Sequence, residues 1–339
     1  MSLNPSIGLA GIAVQKDRDT PAAQPTYMHG LTGGSPFGVS RSIATTDVTC
    51  GSRAPSDARV DSIEVTPKIE SLCYPDVLGM YLLAACGKVV TEAVKPTTGE
   101  NPTGYYKHTF TMGSALDYFT IWSQIGVDGF TRAEGCKCDE LQFSATGNEH
   151  LAMSASFKGI DGEVGLNTIP GKVAASCFDG KYTTTDCDFK IDSSGSAPAE
   201  ALVSEASFTI KNNVTGLSSL GRATSREIAE GKCQFGVSVT TIPENLKEYQ
   251  KLITGSETST AISGKVVFGS VYAKFFHTDD PKQTLEFSAN HLPFTADFPE
   301  LDPSGNEATI QFSTDNAIVA TADESPMTIT LTNKVASYK

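Results

Sequence analysis

The stretch CKCDELQFSATGNEHLAMSASFKGI, residues 136–160, constrains this chain more than any other. Leu141, Phe143 and Ala145 alternate with Glu140, Gln142 and Ser144; after a Gly-Asn turn, Leu151, Met153, Ala155 and Phe157 alternate with Ala152, Ser154, Ser156 and Lys158. A period of two over both arms predicts a half-buried hairpin with one apolar and one polar face. The pattern returns downstream. VSEASFTIKNNV (203–214) sets Ala206, Phe208 and Ile210 against Glu205, Ser207, Thr209 and Lys211; GKCQFGVSVTTI (231–242) sets Cys233, Phe235, Val237 and Val239 against Gln234, Gly236, Ser238 and Thr240. Two hairpins therefore present polar faces of small, uncharged or acidic side chains with almost no apolar group among them.

The rest of the chain predicts a mainly β molecule. ARVDSIEVTPKIE (58–70) alternates until Pro67 ends or bends the strand, and YYKHTFTMG and LDYFTIWSQIG read as aromatic-rich strands. Short strands close the sequence in GKVVFGSVYAKFF, QTLEFSANHL, EATIQFSTDN and MTITLTNK, spaced as in a sandwich or barrel. One strong helix is expected in YPDVLGMYLLAACG, with Pro75 in its first turn and Gly87 as its stop. A short second one is expected in 243–255, between Pro243 and Gly255. Residues 1–56, rich in Gly, Pro, Ser and Thr, are expected to form an extended arm that needs a neighbour. Residues 57–339 are expected to form one β domain with a loop-rich insertion at 161–200.

The chemistry expected of an enzyme is missing from the sequence. The five histidines lie far apart without metal-ligand spacing; apart from the C-x-C of Cys136 and Cys138 the eight cysteines are scattered and read as structural thiols. No nucleophile elbow, phosphate loop or dinucleotide fingerprint occurs, so no catalytic residue, cofactor or metal is expected. With 39 Asp plus Glu against 26 Lys plus Arg, the formal net charge of -13 opposes tight binding to phosphate backbones. No stretch reaches the roughly 20 apolar residues that span a bilayer, and no signal-peptide layout opens the chain, so neither membrane insertion nor secretion is expected.

The order of these pieces resembles the major tail tube proteins of long-tailed bacteriophages. The likeness is carried by the YPDVLGMYLLAACGK helix after the first strands, YYKHTFTMG, the hairpin in DGFTRAEGCKCDELQFSATGNEHLAMSASFKG, the second hairpin ending GKCQFGVSVT, and the closing MTITLTN. It spans roughly 58–333 and lies in the order of the pieces. The resemblance implies a tail-tube β-sandwich or barrel whose hairpins join neighbouring subunits in one inner β-barrel, built as stacked hexameric rings of four inner strands per subunit. It implies a virion protein assembled in the host cytoplasm. Its implied partners are further copies of itself, a tape measure protein, tail terminator and tail-tip or baseplate proteins, and DNA that passes without specific binding. On this reading Glu140, Gln142, Ser144, Ser154, Ser156, Glu205, Ser207, Thr209, Gln234, Ser238 and Thr240 line the lumen, Glu140 and Glu205 make it negative, and Lys158 and Lys211 pair with acids near strand ends. The alternative weighed against it is a secreted or surface β-sandwich adhesin or carbohydrate-binding module, which would need a signal peptide and an exposed aromatic platform.

Overall fold

In the computed structural model, residues 6 and 8–339 are described, apart from 47–56, 96–102, 171–179, 193–198, 257, 300–307 and 320–324. The chain begins with β1 (Gly8–Val14), β2 (Tyr27–Gly30), β3 (Gly33–Ser35), β4 (Val39–Thr46), β5 (Asp57–Val65) and β6 (Lys68–Leu72), which leads into α1 (Pro75–Cys86). Next come β7 (Gly87–Ala93), β8 (Tyr106–Met112), β9 (Phe119–Ile125), β10 (Gly129–Thr146), β11 (Ala152–Lys158), β12 (Asp161–Leu166), β13 (Tyr182–Asp192) and β14 (Ala199–Glu200). The remainder is β15 (Val203–Lys211), β16 (Thr215–Leu217), β17 (Glu227–Ala229), β18 (Gln234–Thr241), α2 (Lys247–Thr254), β19 (Gly269–His277), β20 (Thr284–Leu292), β21 (Thr295–Ala296), β22 (Ile310–Thr314) and β23 (Met327–Asn333).

Two sheets face each other across the core. The larger contains the run β3-β6-β11-β10-β15-β18-β22-β21, every neighbour antiparallel; β10 also pairs with β9 and β12 through its first half, which attaches β1 and β2. One strand serves both regions because it bends. Gly135, at φ 60°, lies within a register shift between Ala133 and Cys136, where a Cβ would strike Ile160. The second sheet runs β14-β13-β19-β20-β23-β8-β7. Between the sheets the Phe208 ring stacks on Phe287 at 4.4 Å, and Phe143 meets Phe287 edge-on at 5.1 Å.

Helix α1 is apolar all round and is buried at every residue except Asp76, which fits a helix enclosed by the core. Gly87, left-handed at φ 76°, ends it by donating its N–H to the Leu83 carbonyl. Helix α2 also ends on a left-handed glycine, Gly255, but starts at Lys247 and not at Pro243. The Asn245 side chain accepts the Lys247 N–H, holding the preceding residues in a turn.

Two segments differ from the sequence expectation. The arm expected over 1–56 contains β1, which pairs with β9 from Gly8–Ile125 to Val14–Phe119 and buries Ala10 and Ile12 completely. Its Gly- and Ala-rich sequence packs because small residues let β1 lie close to neighbours; a Cβ on Gly11 would strike Pro25. The β4–β5 hairpin is exposed along most of its length, and 1–5, 7 and 47–56 lie outside the described residues. Within 161–200, expected to be a loop-rich insertion, β13 is an eleven-residue strand paired with β19, burying Tyr182, Phe189 and Ile191. A register shift between Thr183 and Cys187 breaks its alternation, which hides the strand from a period-two reading. Residues 171–179 and 193–198 of that segment lie outside the described residues.

Candidate functional site: a continuous polar sheet face

Registry carries the polar faces of the two hairpins into one surface. Glu140, Gln142 and Ser144 on β10 stand opposite Ser156, Ser154 and Ala152 of β11 on one side, and Lys211, Thr209 and Ser207 of β15 on the other. Glu205, Ser207 and Thr209 in turn face Thr240, Ser238 and Gly236 of β18, and Lys211 faces Gln234. All eleven residues singled out in the sequence therefore share one face of four adjacent strands. Their intervening neighbours Leu141, Phe143, Ala155, Phe157, Phe208, Ile210, Phe235 and Val239 are buried on the other face.

The surface is wider than the sequence suggested. On one side β6 adds Glu70 opposite Ser154 and Lys68 opposite Ser156, and β3 adds Gly33 and Ser35 opposite those two. On the other, β22 adds Ser313 opposite Ser238 and Gln311 opposite Thr240, and β21 adds Thr295. These strands are short or Gly-containing, with too few alternating residues to register as half-buried. Hydrogen bonds tie the added strands on: the Gln311 amide donates to Ser238 Oγ at 2.8 Å, and Thr295 Oγ1 to the Ser313 carbonyl at 3.1 Å.

Most of the charge on this face is paired. Glu140 sits 3.7 Å from Lys211, its cross-strand neighbour, and Lys68 lies 2.6 Å from Glu70. Lys158 approaches Asp139 at 3.9 Å and donates to the Val214 carbonyl. Glu205 has no lysine or arginine partner among the described residues.

Behind the face, buried polar groups fix the sheet to the core. The Asn212 amide donates to the Ala85 carbonyl at the end of α1 and to Cys138 in β10, tying helix to sheet. His29 joins Ser71 of β6 through Nδ1 and Tyr81 of α1 through Nε2, at 3.1 and 2.6 Å. Burial lowers its pKa to about 4, so this ring is neutral in the folded protein near pH 7. Neither residue carries a periodic signal. The buried thiols Cys73, Cys86, Cys136 and Cys138 are unbonded and burial pushes their pKa values up, which leaves them unreactive; Cys50 and Cys177 lie outside the described residues. Among the described residues no helix is long and apolar enough to cross a membrane.

A family model described as phage tail tube protein matches residues 7–323. The chain belongs to the phage tail tube protein family. The match takes in β1, both hairpins, both helices and β22, so the strands that build the polar face belong to the family region. No match is found among curated proteins. Membership makes this a structural protein of the phage tail, one whose β-sandwich carries an exposed polar sheet face.

Proposed function

We propose that copies of this chain close edge to edge into rings, that the rings stack into the tail tube of a virion, and that the polar face lines the bore through which DNA passes to the host. The observation that carries this reading is the face itself: eight antiparallel strands with small polar groups on one side, core on the other, and, among the described residues, a free strand edge at each end in β3 and β21. Open edges invite pairing with another chain, and ring closure removes them.

The lining chemistry supports a conduit. A basic wall would hold the duplex, because every neutralised phosphate adds salt-dependent affinity, and an apolar wall would adhere to a tape measure protein threaded through it. Serines, threonines and glutamines, with Glu70 and Glu140 paired to lysines and Glu205 adding one negative charge, do neither. The exposed β4–β5 hairpin, projecting between β3 and β6, is suited to contact the adjacent ring. Terminator and tail-tip or baseplate proteins would close the two ends, with assembly in the host cytoplasm before the tail joins the virion. The resemblance gives six copies of a four-stranded lining per ring, whereas one copy of this chain contributes eight strands. Negative-stain electron microscopy of the purified protein tests the reading: hollow tubes or stacked rings are expected, and dispersed monomers at all concentrations would refute it.

A further inference from the structure

The lining is built twice on one plan. In the first half β3 leads into the excursion hairpin β4–β5, then β6, α1, the hairpin β7–β8 of the second sheet, and β10 and β11 back in the lining. In the second half β15 leads into the excursion hairpin β16–β17, then β18, α2, the hairpin β19–β20 of the second sheet, and β21 and β22 back in the lining. Pairing repeats with the order. β3 pairs with β6, β6 with β11 and β11 with β10; β15 pairs with β18, β18 with β22 and β22 with β21.

The sequence carries the same repeat around the helices. Pro75, Asp76, Leu78, Tyr81 and Gly87 recur at the same spacing as Pro243, Glu244, Leu246, Tyr249 and Gly255. Both glycines adopt the left-handed conformation that ends the helix, at φ 76° and 80°. Carried back into the preceding strands, this alignment matches buried Ile69 with buried Val237, and Glu70 with Ser238 on the polar face. The first half adds β1, β2, β9 and β12, and its helix is buried where α2 is mostly half-buried.

A lining read as β3-β6-β11-β10 followed by β15-β18-β22-β21 contains its own joint. Strand β10, last of the first set, pairs antiparallel with β15, first of the second, with Gln142 opposite Thr209 and Ser144 opposite Ser207. The free strands β21 and β3 are the corresponding last and first strands, and their directions make β21 antiparallel to the β3 of a following copy. We propose that the ring is closed by three copies of this chain, β21 of each pairing with β3 of the next and reproducing between chains the β10–β15 joint within each. The inference rests on the tube reading and replaces its six chains with three, each supplying two quasi-equivalent linings.

Strand counting supports the number. Three copies bring roughly 24 lining strands, which at ~4.8 Å spacing and about 40° tilt make a circumference near ~150 Å and a backbone diameter near ~48 Å. Six copies would double both, to a bore several duplexes wide. The repeat also sets the register of the joint. Gly33 and Ser35 pair with Glu70 and Lys68 as Ser207 and Thr209 pair with Ser238 and Gly236, so Ser35 takes the place of Thr209. Thr295 pairs with Ser313 as Gln142 pairs with Ser154, so Thr295 takes the place of Gln142 and should stand opposite Ser35 of the next copy.

The test is the full-length chain carrying Ser35→Cys and Thr295→Cys, oxidised after assembly and run on a non-reducing gel beside the two single variants. Within one chain these positions lie seven strand spacings apart, ~34 Å, far beyond the ~7 Å Cα separation a disulfide can bridge, so a bond between them joins two chains. The expected ladder contains dimer and trimer and stops there, and neither single variant forms it. A ladder extending to six chains would overturn the three-copy ring while leaving the tube intact. Tubes visible in the microscope without any such bond would overturn the joint, and absence of rings and tubes would remove the functional reading itself. Native mass spectrometry of the smallest ring of unmodified protein gives the count independently of the variants: three chain masses support the inference and six overturn it.

Discussion

Replacing Phe208 by alanine probes the division between polar face and core most sharply. Phe208 is 1% exposed, stacks on Phe287 at 4.4 Å with an interplanar angle of 6°, and lies 6.4 Å from Phe189, so its ring joins both sheets. Truncating a fully buried phenylalanine costs about 3–5 kcal/mol, part of it the loss of the stacked pair and part the cavity left behind. With an unfolding entropy of roughly 2.1 cal/mol/K per residue over 339 residues, that corresponds to a fall in Tm of about 4–7 °C. Ser207, one residue earlier on the opposite face, is the control: Ser207→Ala should stay within about 0.5 kcal/mol, less than ~1 °C. Calorimetry of both variants as unassembled subunits makes the comparison, because assembly would make Tm depend on concentration. If Ser207→Ala lowered Tm as much as Phe208→Ala, the assignment of faces would be inverted.

Three further outcomes are expected. Glu205→Lys adds a cation to the polar face, so, if that face lines the bore, tubes should form but genome ejection from reconstituted virions should slow, most at ~0.01 M salt where the Debye length is about 30 Å; equal ejection rates at low and physiological salt would count against the lining role. His29 is held near pKa 4 by burial, whereas an unfolded histidine titrates near 6.5, so the unfolded chain binds a proton first as pH falls. This contributes stability above pH 6.5 that is lost between about 6.5 and 4, on the order of 3 kcal/mol; urea melts at pH 7.5 and 4.5 should show that loss reduced in His29→Gln. Replacing residues 39–64, which include nearly all of the exposed β4–β5 hairpin, with a short Gly-Ser linker should leave subunit Tm within ~2 °C while shortening the tubes seen by microscopy; tubes of normal length would remove the hairpin from ring stacking.

The polar face was legible where strands are long and half-buried. β10, β11, β15 and β18 alternate Phe, Leu and Val with Ser, Thr, Gln and Glu, and a period of two needs only the pleat to be read. Helix α1 was legible from Pro75 and Gly87. Strands β3 and β21 were not, because three and two residues carry no period, nor was β13, whose irregular stretch at Thr183–Cys187 interrupts the alternation. The β1 strand escaped because its Gly and Ala residues resemble a loop by composition and become core only through close contact with β9. That Lys211 pairs with an acid was expected, but which acid was not legible, because Glu140 and Lys211 are distant in sequence and meet only once the register is set. The doubled plan was written openly in the Pro, Leu, Tyr and Gly shared by the two helices, but one helix is apolar and the other polar, so their hydrophobic patterns conceal the match.

Electron cryomicroscopy of the assembled protein tests the central claim most directly, since a side-chain map places every strand relative to the axis of the tube. The expected map shows a hollow tube whose inner wall is the run from β3 to β21, with Gln142, Ser144, Ser154, Ser207, Thr209 and Ser238 facing the bore and Phe143 and Phe208 facing the second sheet. A tube with those serines and threonines on its outer surface, or an assembly with no axial bore, would contradict it.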